Sequence, residues 1–139
     1  MSERFHECAL EVRGHELDGY GHVNHAIYVS YLEHARWKML DEAGIDDAKM
    51  KDWGSWPVIA EVQLRYLKPC FRGDALRIET RLGETSRTSF WAEHAVYRGA
   101  DRVLEGKVRI VWVNSEGRAA SMHDKLKTWL SGWGKVRHP

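Results

Sequence analysis

A carboxylate, two glycines and the expected start of a helix lie together between residues 17 and 28, where the sequence reads LDGYGHVNHAIY. Asp18 stands seven residues before His25, where a helical pattern begins. The free N–H groups of a helix start are electropositive, so they can polarise a carbonyl and hold the oxyanion that forms when it is attacked. A nearby carboxylate can attack that carbon or activate a water molecule. The segment could therefore catalyse acyl transfer without a Ser-His-Asp or Cys-His set.

Each of these residues also has a plainer structural interpretation. A loop aspartate such as Asp18 usually forms a turn, and Asn24 has the side chain of a helix N-cap. His22 and His25 have the spacing of a weak metal site, to which Asp18 could add a ligand. The sequence suggests no further ligand, so we expect no bound metal. Taken alone, the segment leaves the role of Asp18 open.

One long helix would position this loop. Apolar residues recur at helical spacing over residues 25–43, with Asn24 before them and Gly44 after them. An asparagine N-cap and a glycine stop are typical of helix ends. The pattern therefore predicts a helix over residues 25–43, with the loop of residues 14–24 leading into its N-terminus.

Alternating polar and apolar residues predict five strands, over residues 7–13, 57–66, 76–82, 90–97 and 103–113. Short turns join the last four, which favours an antiparallel sheet. A short amphipathic helix follows, marked by Met122, Leu126, Trp129 and Trp133, and the tryptophan-bearing connector after Gly44 is assigned no regular structure. The prediction is an α+β fold in which a curled five-stranded sheet surrounds one long helix, with the strand order left open.

Length and composition limit the classes of protein that the chain can belong to. Its 139 residues fit a single domain spanning residues 1–139, and 21 Lys and Arg against 20 Asp and Glu give no general argument for nucleic-acid or membrane binding. No apolar run is long enough to cross a bilayer. Cys8 and Cys70 have no metal-type spacing, so we expect two reduced thiols and a cytoplasmic location.

The segment of residues 18–28 resembles the 4-hydroxybenzoyl-CoA thioesterase family, and more closely its acyl-CoA thioesterase branch. The similarity continues through YLEHAR at residues 31–36, RYLKP at 65–69, RGDAL at 72–76 and the hairpin SRTS at 86–89. It implies a hotdog fold and a homodimer whose sheets join edge to edge, often paired again into a homotetramer. It also implies active sites at the dimer interface. Asp18 would be the catalytic carboxylate, as nucleophile or as base, and the main-chain N–H of His25 would polarise the thioester carbonyl.

The resemblance also suggests where the substrate would bind. Coenzyme A carries phosphates, for which Lys68, Arg72 and Arg87 are candidate partners. Tyr20 is bulky and could narrow the choice of acyl group, while Glu61 could face the acyl pocket or pair with an arginine. Asn24 and Tyr28, at the helix start, are further candidates for substrate contact. Many relatives have asparagine at the position of His25, but the implied role uses only the main chain.

Three functions remain in competition. The first is hydrolysis of acyl-CoA to free acid and CoA, with no metal or organic cofactor. The second is a hotdog hydratase or dehydratase, but those enzymes pair an aspartate with a histidine five residues later in a D-x-N-P-[ILV]-H segment, whereas His22 follows Asp18 by four. The third is a non-catalytic acyl-CoA-binding module. Nucleic-acid binding through the basic tail is weaker still, and that tail contains Lys125, Lys127, Lys135 and Arg137.

Overall fold

The computed structural model describes residues 4–133 and contains the predicted five strands and long helix. The elements follow in the order β1 (His6–Glu11), α1 (Ile27–Glu42), α2 (Asp47–Trp53), β2 (Ser55–Tyr66), β3 (Ala75–Thr85), β4 (Ser89–Arg98), β5 (Asp101–Asn114) and α3 (Asp124–Ser131). A 3-10 turn, Gly14–Glu16, precedes α1. The α+β class is confirmed.

The five strands form one antiparallel sheet in the order β1-β3-β4-β5-β2. β1 and β2 form the two edges of the sheet, although they are consecutive strands in the chain. Pro57 lies in β2. Proline has no N–H to donate to a neighbouring strand, and an edge strand tolerates this because it pairs on one side only. The end of β2 lies beside the start of α1, where Tyr66 bonds to His25, and the last residue of α1, Glu42, bonds to His6 at the start of β1.

The core lies between α1 and the concave face of the sheet. One apolar cluster joins Leu32 and Ala35 of α1 to Ile78, Val96 and Leu104 of the sheet. A Cβ atom added to Gly106 would come within 2.9 Å of the Leu32 and Leu64 side chains, so this glycine allows α1 to approach β5 closely.

A second apolar cluster lies at the other end of α1. It packs Leu126 and Leu130 of α3 against Leu40, Ile110 and the fully buried Trp112. The predicted C-terminal amphipathic helix is therefore docked through its apolar face. Lys135 and Arg137 of the basic tail lie outside the described residues.

The two ends of α1 differ in how well the sequence predicted them. The helix stops where Gly44 adopts a φ of +77°, as expected. It begins at Ile27, two residues later than predicted, with Ala26 rather than Asn24 as its N-cap. Residues 24–27 instead form a turn in which the amide of Ile27 donates to the carbonyl of Asn24 at 2.9 Å.

The connector after α1 contains a helix that the sequence analysis missed. Asp46 caps α2 by accepting a hydrogen bond from the amide of Lys49, and Gly54 ends it at a φ of +66°. Asp46 and Gly54 are typical of helix ends and could have indicated α2 from the sequence. Seven residues are too few, however, to show a helical periodicity of apolar residues.

The structure of residues 4–133 also bears on the two cysteines and on membrane-spanning helices. Cys8 and Cys70 are buried, and both are free thiols. In this part of the chain, no helix combines the length and the apolar character needed to cross a bilayer.

Candidate active site

The loop before α1 folds back on itself around Asp18. The Asp18 amide donates to the His22 carbonyl at 2.7 Å, and Gly21 supplies the required positive φ of 80°. The Asp18 Oδ1 atom accepts hydrogen bonds from the amides of Tyr20 and His22, at 2.8 and 3.1 Å. Within residues 4–133 no donor contacts Oδ2. The carboxylate is therefore fixed through one oxygen and available through the other.

Glu16 holds the base of this loop. It is 4% exposed, and its carboxylate accepts hydrogen bonds from the Arg13 guanidinium at 2.6 Å and the Tyr31 hydroxyl at 2.8 Å. Burial alone would raise the pKa of Glu16, but the bonds from Arg13 and Tyr31 outweigh it and the pKa is lowered. The Glu16 carbonyl also accepts from the amide of Asn24 at 2.9 Å. Glu16 therefore ties the loop to α1 from below.

The turn at residues 24–27 leaves one amide free. Asn24 Oδ1 accepts from the Ala26 amide at 2.9 Å, as a capping side chain does one turn before the helix. The Tyr66 hydroxyl, at the end of β2, donates to the His25 carbonyl at 2.9 Å. In the described part of the chain no acceptor contacts the His25 N–H. The main chain of His25 is thus held on both sides, and its N–H remains a free donor two residues before the first residue of α1.

The free carboxylate oxygen and the free amide belong to residues of one cleft. The cleft measures about 270 Å³, and its residue Lys68 pairs with Asp101, which follows the β4–β5 turn. A ring contact between His22 and Phe71, with centroids 5.2 Å apart, supports the loop from one side. The cleft is lined by Asp18, His22, Val23, His25, Tyr28, Tyr66, Leu67, Lys68 and Pro69.

The predicted substrate contacts divide around this cleft. Tyr28 is a buried wall residue whose ring meets that of Tyr66 at 5.6 Å, and burial raises its pKa. Lys68 also lines the cleft and forms an ion pair with Asp101 at 3.0 Å. Tyr20 is 88% exposed at the tip of the loop and does not line the cleft. Asn24 does not line the cleft either, because its side-chain oxygen accepts a hydrogen bond from the Ala26 amide within the turn.

Three other candidates lie outside the cleft of one protomer. Arg72 lies beside Gly14, next to the loop. Glu61 is exposed in the middle of β2 and accepts a hydrogen bond from Gln63 at 2.7 Å, rather than from an arginine. Arg87 is in the β3–β4 hairpin, at the opposite end of the strands from the β4–β5 turn. The substrate-binding roles of all three stay predictions.

Tyr66 is a site residue that the sequence analysis missed. It entered only within a predicted strand and within the RYLKP segment of residues 65–69, and nothing in that local pattern links it to His25, 41 residues earlier. Only the strand order brings the end of β2 beside the start of α1.

A second polar set is buried beneath α1. The His94 ring lies between Arg36 Nη1, at 3.1 Å from Nε2, and Thr80 Oγ1, at 3.0 Å from Nδ1. Burial first, and then the charge of Arg36, lower the pKa of His94 to about 3. A neutral ring that accepts at Nε2 from Arg36 must donate through Nδ1 to Thr80. This set braces α1 against β3 and β4.

A metal centre was weighed for His22, His25 and Asp18. Across residues 4–133, no group of three or more His, Cys, Asp or Glu side chains is placed to hold a metal ion. His22 instead packs its ring against Phe71.

Comparison with known proteins identifies the family. Residues 12–130 match the model of the thioesterase-like superfamily. The chain is 31% identical over 130 residues to the chloroplastic acyl-acyl carrier protein thioesterase ATL3 of Arabidopsis thaliana, covering 92% of this chain and 68% of that protein. It is 31% identical over 87 residues to the long-chain acyl-CoA thioesterase FadM of Escherichia coli, covering 60% of this chain and 62% of that protein.

A solved structure supports the fold. The chain superimposes on a hypothetical protein from Aquifex aeolicus with a TM-score of 0.85 and 27% identity, covering 90% of this chain and 98% of that one. The sheet curled around α1 is the hotdog fold that the resemblance implied. The chain therefore belongs to the thioesterase-like superfamily, and it is a thioester hydrolase.

Proposed function

We propose that the protein hydrolyses acyl-CoA thioesters to a free carboxylic acid and CoA, with Asp18 as the catalytic carboxylate. One observation carries the proposal: Asp18 and His25 line the same cleft, and each keeps one hydrogen-bonding atom without a partner in residues 4–133. An acceptor and a donor left free in one cleft suit the two sides of a carbonyl under attack.

The reaction needs only these groups. The thioester oxygen accepts a hydrogen bond from the His25 N–H, which stabilises the negative charge that develops there. Asp18 either attacks the carbonyl carbon, giving a mixed anhydride that water then cleaves, or removes a proton from an attacking water. In both routes the C–S bond breaks and CoA leaves as a thiolate that takes up a proton. We propose that no metal or organic cofactor takes part.

The edge strand β2 supports a homodimer as the working unit. Its apolar residues Trp56 and Val58 are exposed, and its outer edge offers unpaired main-chain groups. Antiparallel pairing of two β2 strands would bring the hairpin end of the second sheet toward the cleft. Arg87 lies on that hairpin, so a second copy would supply a cation for the CoA phosphates. We retain pairing of two dimers into a tetramer, and a cytoplasmic location, as predictions.

The proposed carrier of the acyl group is coenzyme A. Of the two relatives described above, one is named for acyl carrier protein thioesters and the other for CoA thioesters. Lys68 lines the cleft and Arg72 lies beside the loop, which suits the phosphates of CoA. An assay with acyl-phosphopantetheine, which lacks the nucleotide, would measure how much these cations contribute.

Release of free thiol from a panel of acyl-CoA thioesters tests the function. We expect turnover by the wild-type protein and a decrease in kcat of at least ~100-fold in Asp18→Asn. Asp52→Asn, an exposed carboxylate on α2, is the matched control and should leave kcat unchanged. Wild-type activity in Asp18→Asn would remove Asp18 from the mechanism. Saturable binding without thiol release would indicate a binding module, and hydration of enoyl-CoA would indicate a hydratase.

A further inference from the structure

The concave face of β2 carries a continuous row of apolar side chains. Cross-strand partners share one face of a sheet, so the partners of the buried β5 residues identify the helix-facing side of β2. Ile59 is 45% exposed, Val62 39% and Tyr66 50%, although all three are on this side. The opposite side of the same stretch carries Glu61, Gln63 and Arg65. The helix-facing row is Pro57, Ile59, Val62, Leu64 and Tyr66.

This row begins at the candidate active site and ends at a second cleft. Tyr66 lines the catalytic cleft, whereas Pro57 and Ile59 line a largely apolar pocket of about 110 Å³ farther along α1. Tyr28 of α1 borders the first cleft, together with His25 just before the helix. The second cleft is bordered on α1 by Glu33, Arg36, Trp37, Met39 and Leu40. Val29, which is exposed, lies between them on α1. The two clefts therefore lie along the same flank of α1 and share one apolar strand.

We propose that the two clefts are the ends of one channel, and that the substrate is the thioester of a linear aliphatic acid. This inference rests on the proposed function, because the carbonyl must lie between Asp18 and His25. From there the hydrocarbon chain would run along Tyr66, Val62 and Ile59. Its methyl end would reach the distal pocket, whose far walls include Trp37, Leu40, Phe90, Ala92 and Trp129.

The distances along α1 and β2 give the length of the acyl chain that the channel can hold. Twelve helical residues separate Tyr28 from Leu40, which corresponds to about 18 Å. Seven strand residues separate Ile59 from Tyr66, which corresponds to about 23 Å. An extended chain advances by roughly 1.25 Å per carbon, given a C–C bond of about 1.5 Å. The channel thus accommodates roughly 14 to 18 carbons, whereas an aromatic acyl group would fill only the first cleft.

Two charged residues, Glu33 and Arg36, border the distal pocket, but the charged group of each is directed away from its interior. Glu33 is on the exposed side of α1. Arg36 directs its guanidinium at the His94 ring, beneath the helix. The remaining lining side chains are apolar, so the pocket favours a methyl terminus over a second carboxylate.

A chain-length series is the first test, with saturated acyl-CoA thioesters from C4 to C18 below their micelle-forming concentrations. We expect kcat/KM to rise by up to about fourfold per methylene, the factor for burying one CH₂ group. The rise should stop at roughly C14–C18. Benzoyl-CoA should be a poor substrate that gains nothing from the channel.

Ile59→Trp tests the path of the chain. Because Ile59 is half exposed, the fold should tolerate tryptophan, which would fill the distal pocket. We expect kcat/KM for the C14 thioester to fall at least ~10-fold while the value for C4 changes less than about twofold. Gln63→Trp, on the same strand but on the outer face, is the matched control and should keep the wild-type profile. Trp129→Ala should move the optimum toward longer chains.

The outcomes separate this inference from the proposed function. If no acyl-CoA releases thiol, the proposed function itself fails. If thiol is released but kcat/KM does not depend on chain length, the channel is wrong while the hydrolase stands. If Ile59→Trp lowers kcat/KM equally for thioesters of every chain length and changes the sedimentation of the protein, a second copy covers the apolar row of β2. The proposed channel would then be wrong. A selective loss for long chains at unchanged sedimentation supports it.

Discussion

Two carboxylates that stand two residues apart in one loop, Glu16 and Asp18, have opposite environments. Glu16 is buried, and its oxygens accept from the guanidinium and amide of Arg13 and from Tyr31. Asp18 is partly exposed and uses one oxygen to hold the bend. The other oxygen belongs to a residue of the cleft and has no donor in residues 4–133.

The difference shows how a loop can be rigid and reactive at once. A buried carboxylate with every acceptor site occupied stabilises the fold but has nothing left for a substrate. A carboxylate with one fixed oxygen is held in position and keeps the other for chemistry. We therefore assign the scaffold to Glu16 and the reaction to Asp18, and each prediction below tests one side of that assignment.

Two substitutions at Asp18 separate its chemical and structural roles. Asp18→Asn and Asp18→Ala should both lower kcat about 100- to 1000-fold, since both remove the negative charge. Asn keeps an oxygen for the amides of Tyr20 and His22, whereas Ala does not. Only Ala should therefore lose stability, by about 1 kcal/mol. Thiol release and urea unfolding measure the two effects, and a full stability loss in both variants would contradict the division of roles.

Substitution of Glu16 should have the opposite result. Glu16→Ala leaves the buried Tyr31 hydroxyl without its acceptor and should cost about 2–3 kcal/mol of unfolding free energy. Glu16→Gln keeps an acceptor and should cost less. The variants that remain folded should keep most of their kcat at low temperature. If Glu16→Gln lost kcat as strongly as Asp18→Asn while remaining equally stable, the comparison would be reversed.

Acidification should weaken the buried polar groups in turn. His94 has its pKa lowered to about 3 in the folded protein, so below its ordinary value of 6.5 the unfolded chain binds the proton first. Stability should therefore decrease from pH 6.5 toward pH 3, by at most about 1.4 kcal/mol per pH unit. Glu16 adds its loss only below its ordinary pKa of 4.5, because its pKa is lowered in the fold. Urea unfolding between pH 7 and 5 should show a smaller slope in His94→Gln than in the wild type.

The smallest effect concerns the turn before α1. Asn24→Ala removes the bond to the Ala26 amide and should cost about 1 kcal/mol, together with a few-fold decrease in kcat as His25 loosens. Asn114→Ala is the matched control, because Asn114 closes a similar turn after β5 by accepting from the amides of Glu116 and Arg118. It should lose comparable stability and keep its kcat. Equal losses of kcat in both variants would show that global stability, not the turn, governs the rate.

The local patterns were strong enough to predict most elements. The helical period from Tyr28 to Met39, the stop at Gly44 and the alternation of the strands depend on neighbouring residues, and these elements formed where expected. The helix α2 was missed because its seven residues carry caps but too short an apolar period. The start of α1 was misplaced because Asn24 closes a turn before the helix, and both arrangements use the same asparagine side chain.

The sequence by itself determined the chemistry on offer: a carboxylate, a glycine bend and a helix start within eleven residues. It could not separate Asp18 from Glu16, because the two differ in their partners and not in their type. Arg13 and the amides of Tyr20 and His22 are local partners, but only the packing of α1 brings the Tyr31 hydroxyl to Glu16. Likewise, only the strand order placed β2 beside α1, joining Tyr66 to His25 and leaving an apolar row facing the helix. Backbone propensity acts over a few residues, whereas burial and hydrogen-bond completion depend on contacts between distant ones.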